Sequence, residues 1–123
     1  MEQYNLTLNK EQLLLVAESL SIYGRIKCAQ LKDFHHLFDD KKYNKDKVTE
    51  HLCDIKENMF PELQGSQYLS IYGRTAPNEA KLAYDIHKTI LHEFHKNDKY
   101  WNINKDAHLL LAGKYGVKIS TIL

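Results

Sequence analysis

The pattern that most limits the fold is a helical one, extending from Lys10 to about Phe38. Leu13, Val16, Ala17, Leu20 and Tyr23 recur at spacings of three and four, which puts them on one helical face. Leu15, Ile22, Ile26 and Ala29 form a second apolar stripe beside the first. A helix apolar over two adjoining stripes has to be covered from more than one side, so the remaining chain must wrap around it. Gly24 interrupts the pattern at a cost of about 1 kcal/mol relative to alanine in a helix interior. Close packing against a neighbouring helix, or a local bend, is the structural explanation. Room for a ligand beside Tyr23 and Arg25 is the functional one.

Other elements follow from local rules. Tyr4, Leu6 and Leu8 alternate with polar residues, which is a short strand pattern over Gln3–Leu8. Asn9 is then an N-cap, with Gln12 completing a capping box. Asp39–Asn44 reads as a solvated turn, and Asn44 caps a second helix over about Lys45–Met59. Its narrow apolar stripe is Val48, Leu52, Ile55 and Met59, and Pro61 stops it. A long connection, Phe60–Ala76, leads to Pro77, which suits the first helical position of a third helix over about Asn78–Lys96. Ala80, Ala83, His87, Ile90 and Phe94 share one face of it. Tyr100–Ile103 is a short strand candidate, Asp106–Gly113 a helical turn, and Val117–Leu123 alternates like a strand. The expected fold is mainly α: one domain, residues 1–123, with a three-helix core and a small peripheral β element in which the N- and C-terminal segments pair.

Composition narrows the function classes. A net charge of +1 over 123 residues argues against binding nucleic acid through a strong global field. Cys28 and Cys53 are the only cysteines, and two thiols within helical patterns suit a reducing compartment rather than a disulfide framework. No apolar run approaches the ~18 residues of a membrane span, and MEQYNLTLNK lacks the basic start and apolar block of a secretory leader. The expected location is the cytoplasm, without membrane association.

The chemistry-bearing residues are few. LSIYGR at Leu20–Arg25 recurs at Leu69–Arg74, in a helix the first time and in the long connection the second. Differing contexts and differing following residues argue for similar local demands rather than duplication. Arg25 and Arg74 each offer a planar fork of donors suited to phosphate or carboxylate. Tyr23 and Tyr72 offer ring faces for a base and hydroxyls for a sugar. Tyrosines in the core and arginines in salt bridges are the structural alternative. Gln30, Ser70 and Asp85 are candidate polar contacts, completing the expected ligand-binding set. His87, His92 and His95 lie along the third helix, but without a third well-placed ligand or an HExxH pattern no metal site is expected. There is no G-x-S-x-G elbow, C-x-x-C, P-loop or dinucleotide fingerprint. Accordingly no catalytic residue and no cofactor is expected.

With these residues in view, the chain resembles a group of small proteins from phages and prophages of bacteria. Their pattern opens roughly as "ltkeqa..l..aLdlYsRi..gQl", matched here by Tyr23, Arg25, Ile26, Gln30 and Leu31. A later stretch, "sYgi … p.eAkiAYDi", is matched by Tyr72 and Gly73 and then by Glu79, Ala80, Lys81, Ala83, Tyr84 and Asp85. Gly24 stands where serine is usual, and Thr89–Ile90 replaces the group's arginine region. The resemblance implies a small accessory protein of phage type acting in the host cytoplasm. The resulting expectation is a non-enzymatic homo-oligomer that sequesters a small phosphate-bearing or nucleotide-derived ligand, a signal of host defence. The alternative is a protein–protein inhibitor of a host defence protein, since aromatic residues and arginine also anchor interfaces. A DNA-associated regulator is disfavoured by the near-neutral charge.

Overall fold

The computed structural model describes residues 2–38, 41–97 and 117–122, and these form three α-helices and one 3-10 helix, with no strand among them. Helix α1 is Lys10–Lys27, the 3-10 helix is Leu31–Phe38, α2 is Lys45–Met59 and α3 is Asn78–His95. The mainly helical expectation holds. The peripheral β element does not: neither residues 3–8 nor 117–122 are extended into a ladder. Instead, the Thr121 amide and hydroxyl both donate to Glu93 Oε1 at 3.1 and 2.9 Å, which lays the C-terminal segment against the end of α3. The segments expected over Tyr100–Ile103 and Asp106–Gly113 lie outside the described residues.

Helix α1 begins as its cap requires. The Gln12 amide donates to Asn9 Oδ1 at 2.8 Å and the Asn9 amide to Gln12 Oε1 at 3.0 Å, so two otherwise orphaned donors are satisfied reciprocally. It ends eleven residues before Phe38, and the ending has a clear mechanism. The Gln30 amide donates to Arg25 O at 2.8 Å and the Ala29 amide to Ile26 O at 3.0 Å. Those two bonds are a Schellman motif, with Ala29 in the left-handed position at φ 69° that glycine normally fills. A Cβ in that conformation costs about 1–2 kcal/mol. Burial of Ala29 helps to hold it there.

Helix α2 is capped by Asn44, whose side chain accepts from the Lys47 amide at 3.0 Å. Its buried face follows the expected stripe only in part, at the half-buried Val48 and Leu52. Ile55 and Met59 are 47% and 63% exposed, whereas Lys56 is only 5% exposed. Beside Leu52 the helix turns Thr49, Cys53 and Lys56 inward. In α3, Pro77 is the N-cap rather than the first helical residue, and its carbonyl accepts from the Ala80 and Lys81 amides.

Helices α1 and α3 form the main contact of the fold. Gly24 decides how closely they approach: a Cβ there would lie 3.4 Å from the Ala80 carbonyl oxygen and 3.9 Å from Ala83 Cβ. The core around this contact is built of small side chains, with Ala17, Cys28, Ala76, Ala80 and Ala83 buried and Ile90 the largest buried hydrophobe among the described residues. Leu69 and Ile71 from the long connection pack on Cys28, Ala76 and Ala80. The Leu69 amide donates to Cys28 O at 3.0 Å, which pins this connection to the end of α1. Among the described residues, no helix is long and apolar enough to cross a membrane.

Candidate functional site

The two Tyr-Gly-Arg groups meet through a third residue. Tyr72, from the second LSIYGR, places its hydroxyl 3.2 Å from that of Tyr84 on α3. The two rings are edge-to-face, with centroids 6.1 Å apart. Arg25, from the first LSIYGR, acts electrostatically on Tyr84, His87 and Lys88 of α3. The loop is shaped for this contact by a tight turn. The Gly73 amide donates to Ser70 O at 2.9 Å, and the Tyr72 amide to Ser70 Oγ at 3.3 Å. A Cβ on Gly73 would come within 3.2 Å of the Ser70 carbonyl oxygen, so the turn favours glycine for want of space.

Helical spacing assembles the remainder. Tyr84, His87 and Lys88 are three and four apart and share one side of α3. The Tyr84 and His87 rings are edge-to-face at 6.1 Å, and the Lys88 ammonium lies over the Tyr84 ring at 5.6 Å. Beside them, a cleft of about 360 Å³ runs between α1 and α3, lined by Leu14, Ala17, Glu18, Ser21, Ile22, Arg25, His87 and Leu91, so that one carboxylate side chain stands in the wall with Arg25.

The electrostatics are those of crowded positive charge. Burial, then the charges of Lys88 and Arg25, push the His87 imidazole down to about 4, so it is neutral at pH 7. Burial and Arg25 also lower the Lys88 ammonium. The Tyr84 phenol is raised, by burial first and then by its bond to Tyr72, and remains protonated. The site therefore presents the Arg25 and Lys88 side chains, two phenol hydroxyls and a neutral imidazole. Such a set can grip an anion and hydrogen-bond a sugar or base edge.

The other expected ligand residues are dispersed. Tyr23 is 43% exposed on the opposite side of α1, with the Lys27 ammonium 5.7 Å from its ring. Arg74 is exposed, and Ser70 is engaged in the turn. Gln30 lines a separate cavity beside α2. Asp85 is fully buried, and neither of its carboxylate oxygens has a hydrogen-bond partner among the described residues. Burial raises its carboxyl above the ordinary range. Thus Arg25 and Tyr72 are brought together through Tyr84, Ser70 joins them by holding the turn under Tyr72, and no described contact draws Tyr23, Gln30, Arg74 or Asp85 to them. Sequence reasoning missed Tyr84, His87 and Lys88. Their spacing of three and four on one helix was the available sign.

Cys28 is buried and its thiol is pushed up by burial, offset by Lys81, as befits an unreactive core residue. Among the described residues, no three His, Cys, Asp or Glu side chains converge as a metal site. No family model matches the chain, and no curated protein or solved structure matches it.

Proposed function

We propose that this protein binds a small phosphate-bearing or nucleotide-derived ligand and holds it without chemical change. The observation that carries this reading is the convergence of Arg25, Lys88, Tyr72 and Tyr84 from three separate stretches of chain. Arg25 and Lys88 supply the charge for a phosphate. The Tyr72–Tyr84 pair spends one hydroxyl proton internally and leaves the other to reach a ligand oxygen. The rings offer faces and edges to a planar base. His87 at about 4 is a poor proton donor at neutral pH, which favours holding over turnover.

In this proposal the biological role is sequestration of a host-defence signal in the host cytoplasm by a phage-type accessory protein, acting as a homo-oligomer. Large apolar side chains left at the surface support self-association: Leu6 is 80% exposed and Leu15 63%. The same exposed side chains favour a second reading, inhibition of a host defence protein through a protein–protein contact.

Calorimetric titration with a panel of linear and cyclic nucleotides tests the first reading. One ligand class should give a saturable heat. Arg25→Ala, and separately the double variant Tyr72→Phe/Tyr84→Phe, should weaken it at least tenfold while the melting temperature holds. Undiminished binding by a folded Arg25→Ala variant would remove this site from the account. Absence of heat with the whole panel would favour the inhibitor reading.

A further inference from the structure

A second cavity, of about 460 Å³, lies between the end of α1, the inner face of α2 and the loop 65–68. It shares no lining residue with the α1–α3 cleft. Its volume is within the range of ordinary small-molecule sites. Lys56 lines it and is 5% exposed. The Lys56 ammonium donates to Gly65 O at 2.6 Å, and no carboxylate among the described residues pairs with it. That ammonium has one hydrogen bond to the protein, so two of its three donors stay uncommitted and face the cavity. Fixing the loop does not by itself require a charge at this place.

The surroundings specify what would neutralise it. Gln30, Thr49 and Ser66 line the same cavity, and their side chains make no hydrogen bond with the described residues. Lys32 adds a second ammonium to the lining. Leu52 supplies apolar wall and Tyr68, 58% exposed, a ring. Many donors and two point charges suit the three terminal oxygens of a phosphate better than the two of a carboxylate. The apolar wall and the ring suit a compact apolar or planar body joined to that phosphate.

We propose that this cavity is a binding site for a small phosphate monoester, with the Lys56 ammonium as its charged ligand and Gln30, Thr49 and Ser66 as hydrogen-bond donors. The site is independent of the Arg25 site. Its loop is already built for the purpose. The Gln67 amide donates to Gln64 O at 3.1 Å and the Gln64 amide to Gln67 Oε1 at 3.0 Å, and Gly65 takes the left-handed conformation at φ 59° that aims its carbonyl at Lys56.

The test is a titration of the full chain, followed by amide chemical shifts, with phenyl phosphate, adenosine 5′-monophosphate, inorganic phosphate and benzoate. At least one ester should shift the amides of Gln30, Thr49, Ser66 and Gln67 saturably. Inorganic phosphate should bind at least tenfold more weakly, and benzoate should bind no better than inorganic phosphate. Lys56→Met should abolish the shifts, whereas Arg25→Ala should leave them unchanged, which separates this site from the one proposed above. Should Lys56→Met fail to fold, Ser66→Ala and Gln30→Ala serve instead, each weakening the ester several-fold in a folded chain. Overturning results are the absence of saturable shifts with either ester, binding retained in a folded Lys56→Met or in both substitutes, or benzoate binding as tightly as phenyl phosphate.

Discussion

His87 and Asp85 sit two residues apart on α3, and burial acts on them with opposite consequences for stability. The His87 imidazole ordinarily titrates near 6.5 and is held at about 4 in the fold. The unfolded chain therefore binds more protons between those values. Stability contributed by neutral His87 is complete above about 6.5 and is lost as the pH falls to about 4. Asp85 is raised above its ordinary 3.8, so its contribution is complete below that value and is lost as pH rises through its folded value. Melting temperatures measured from pH 7.5 down to 4 should fall on the acid side, and His87→Gln should flatten that fall. Asp85→Asn should raise the melting temperature at pH 7, since the buried carboxyl has no hydrogen-bond partner among the described residues. An acid-side slope that His87→Gln leaves untouched would contradict the assignment. Neither behaviour was legible in the chain: Asp85 reads as a polar contact beside Tyr84, and only its complete burial reveals a cost.

At the scale of elements, the starts of helices were legible and the faces and some of the ends were not. Asn9 and Asn44 cap α1 and α2 because a short side-chain oxygen can reach the amides of the first turn, and that requirement is local. The end of α1 escaped because its left-handed residue is Ala29, and the punctuating glycine that sequence rules look for is absent. The inner face of α2 escaped because Lys56 occupies it, and a lysine on an apolar stripe reads as a break in the stripe. Gly24 was ambiguous between close packing and ligand room, and its contacts with Ala80 and Ala83 decide for packing. Gly24→Ala should then be tolerated or stabilise by up to about 1 kcal/mol, because 3.4 Å is ordinary contact and alanine is the better helix former. Gly24→Leu should cost about 1–3 kcal/mol by forcing α1 from α3. Chemical denaturation of both variants checks this, and a Gly24→Leu variant as stable as the parent would mean that the helices do not meet there.

For the whole molecule, the described core is small and the large apolar side chains are mostly at its margin. Ile90 is the largest hydrophobe among the fully buried side chains, while Tyr4, Leu6, Leu15, Met59 and Ile122 are each more than 60% exposed. Alternation at the two ends of the chain resembled strands because half of those residues are apolar. In the structure Tyr4, Leu6 and Ile122 lie exposed while Leu8, Val117 and Ile119 are half-buried, and the exposed ones are what a further surface would cover. The candidate site was half legible for a similar reason. Arg25 and Tyr72 carry recognisable chemistry in a repeated hexapeptide, but their meeting depends on the α1–α3 approach and the Ser70–Gly73 turn, which the residue pattern alone does not specify. Native mass spectrometry of the gently purified protein tests the central claim, that this is a ligand-holding oligomer, most directly. The account predicts a multiple of the 14.4 kDa chain carrying a discrete small-molecule mass that Arg25→Ala abolishes. A monomer without retained mass, from cells in which the protein is active, would contradict it.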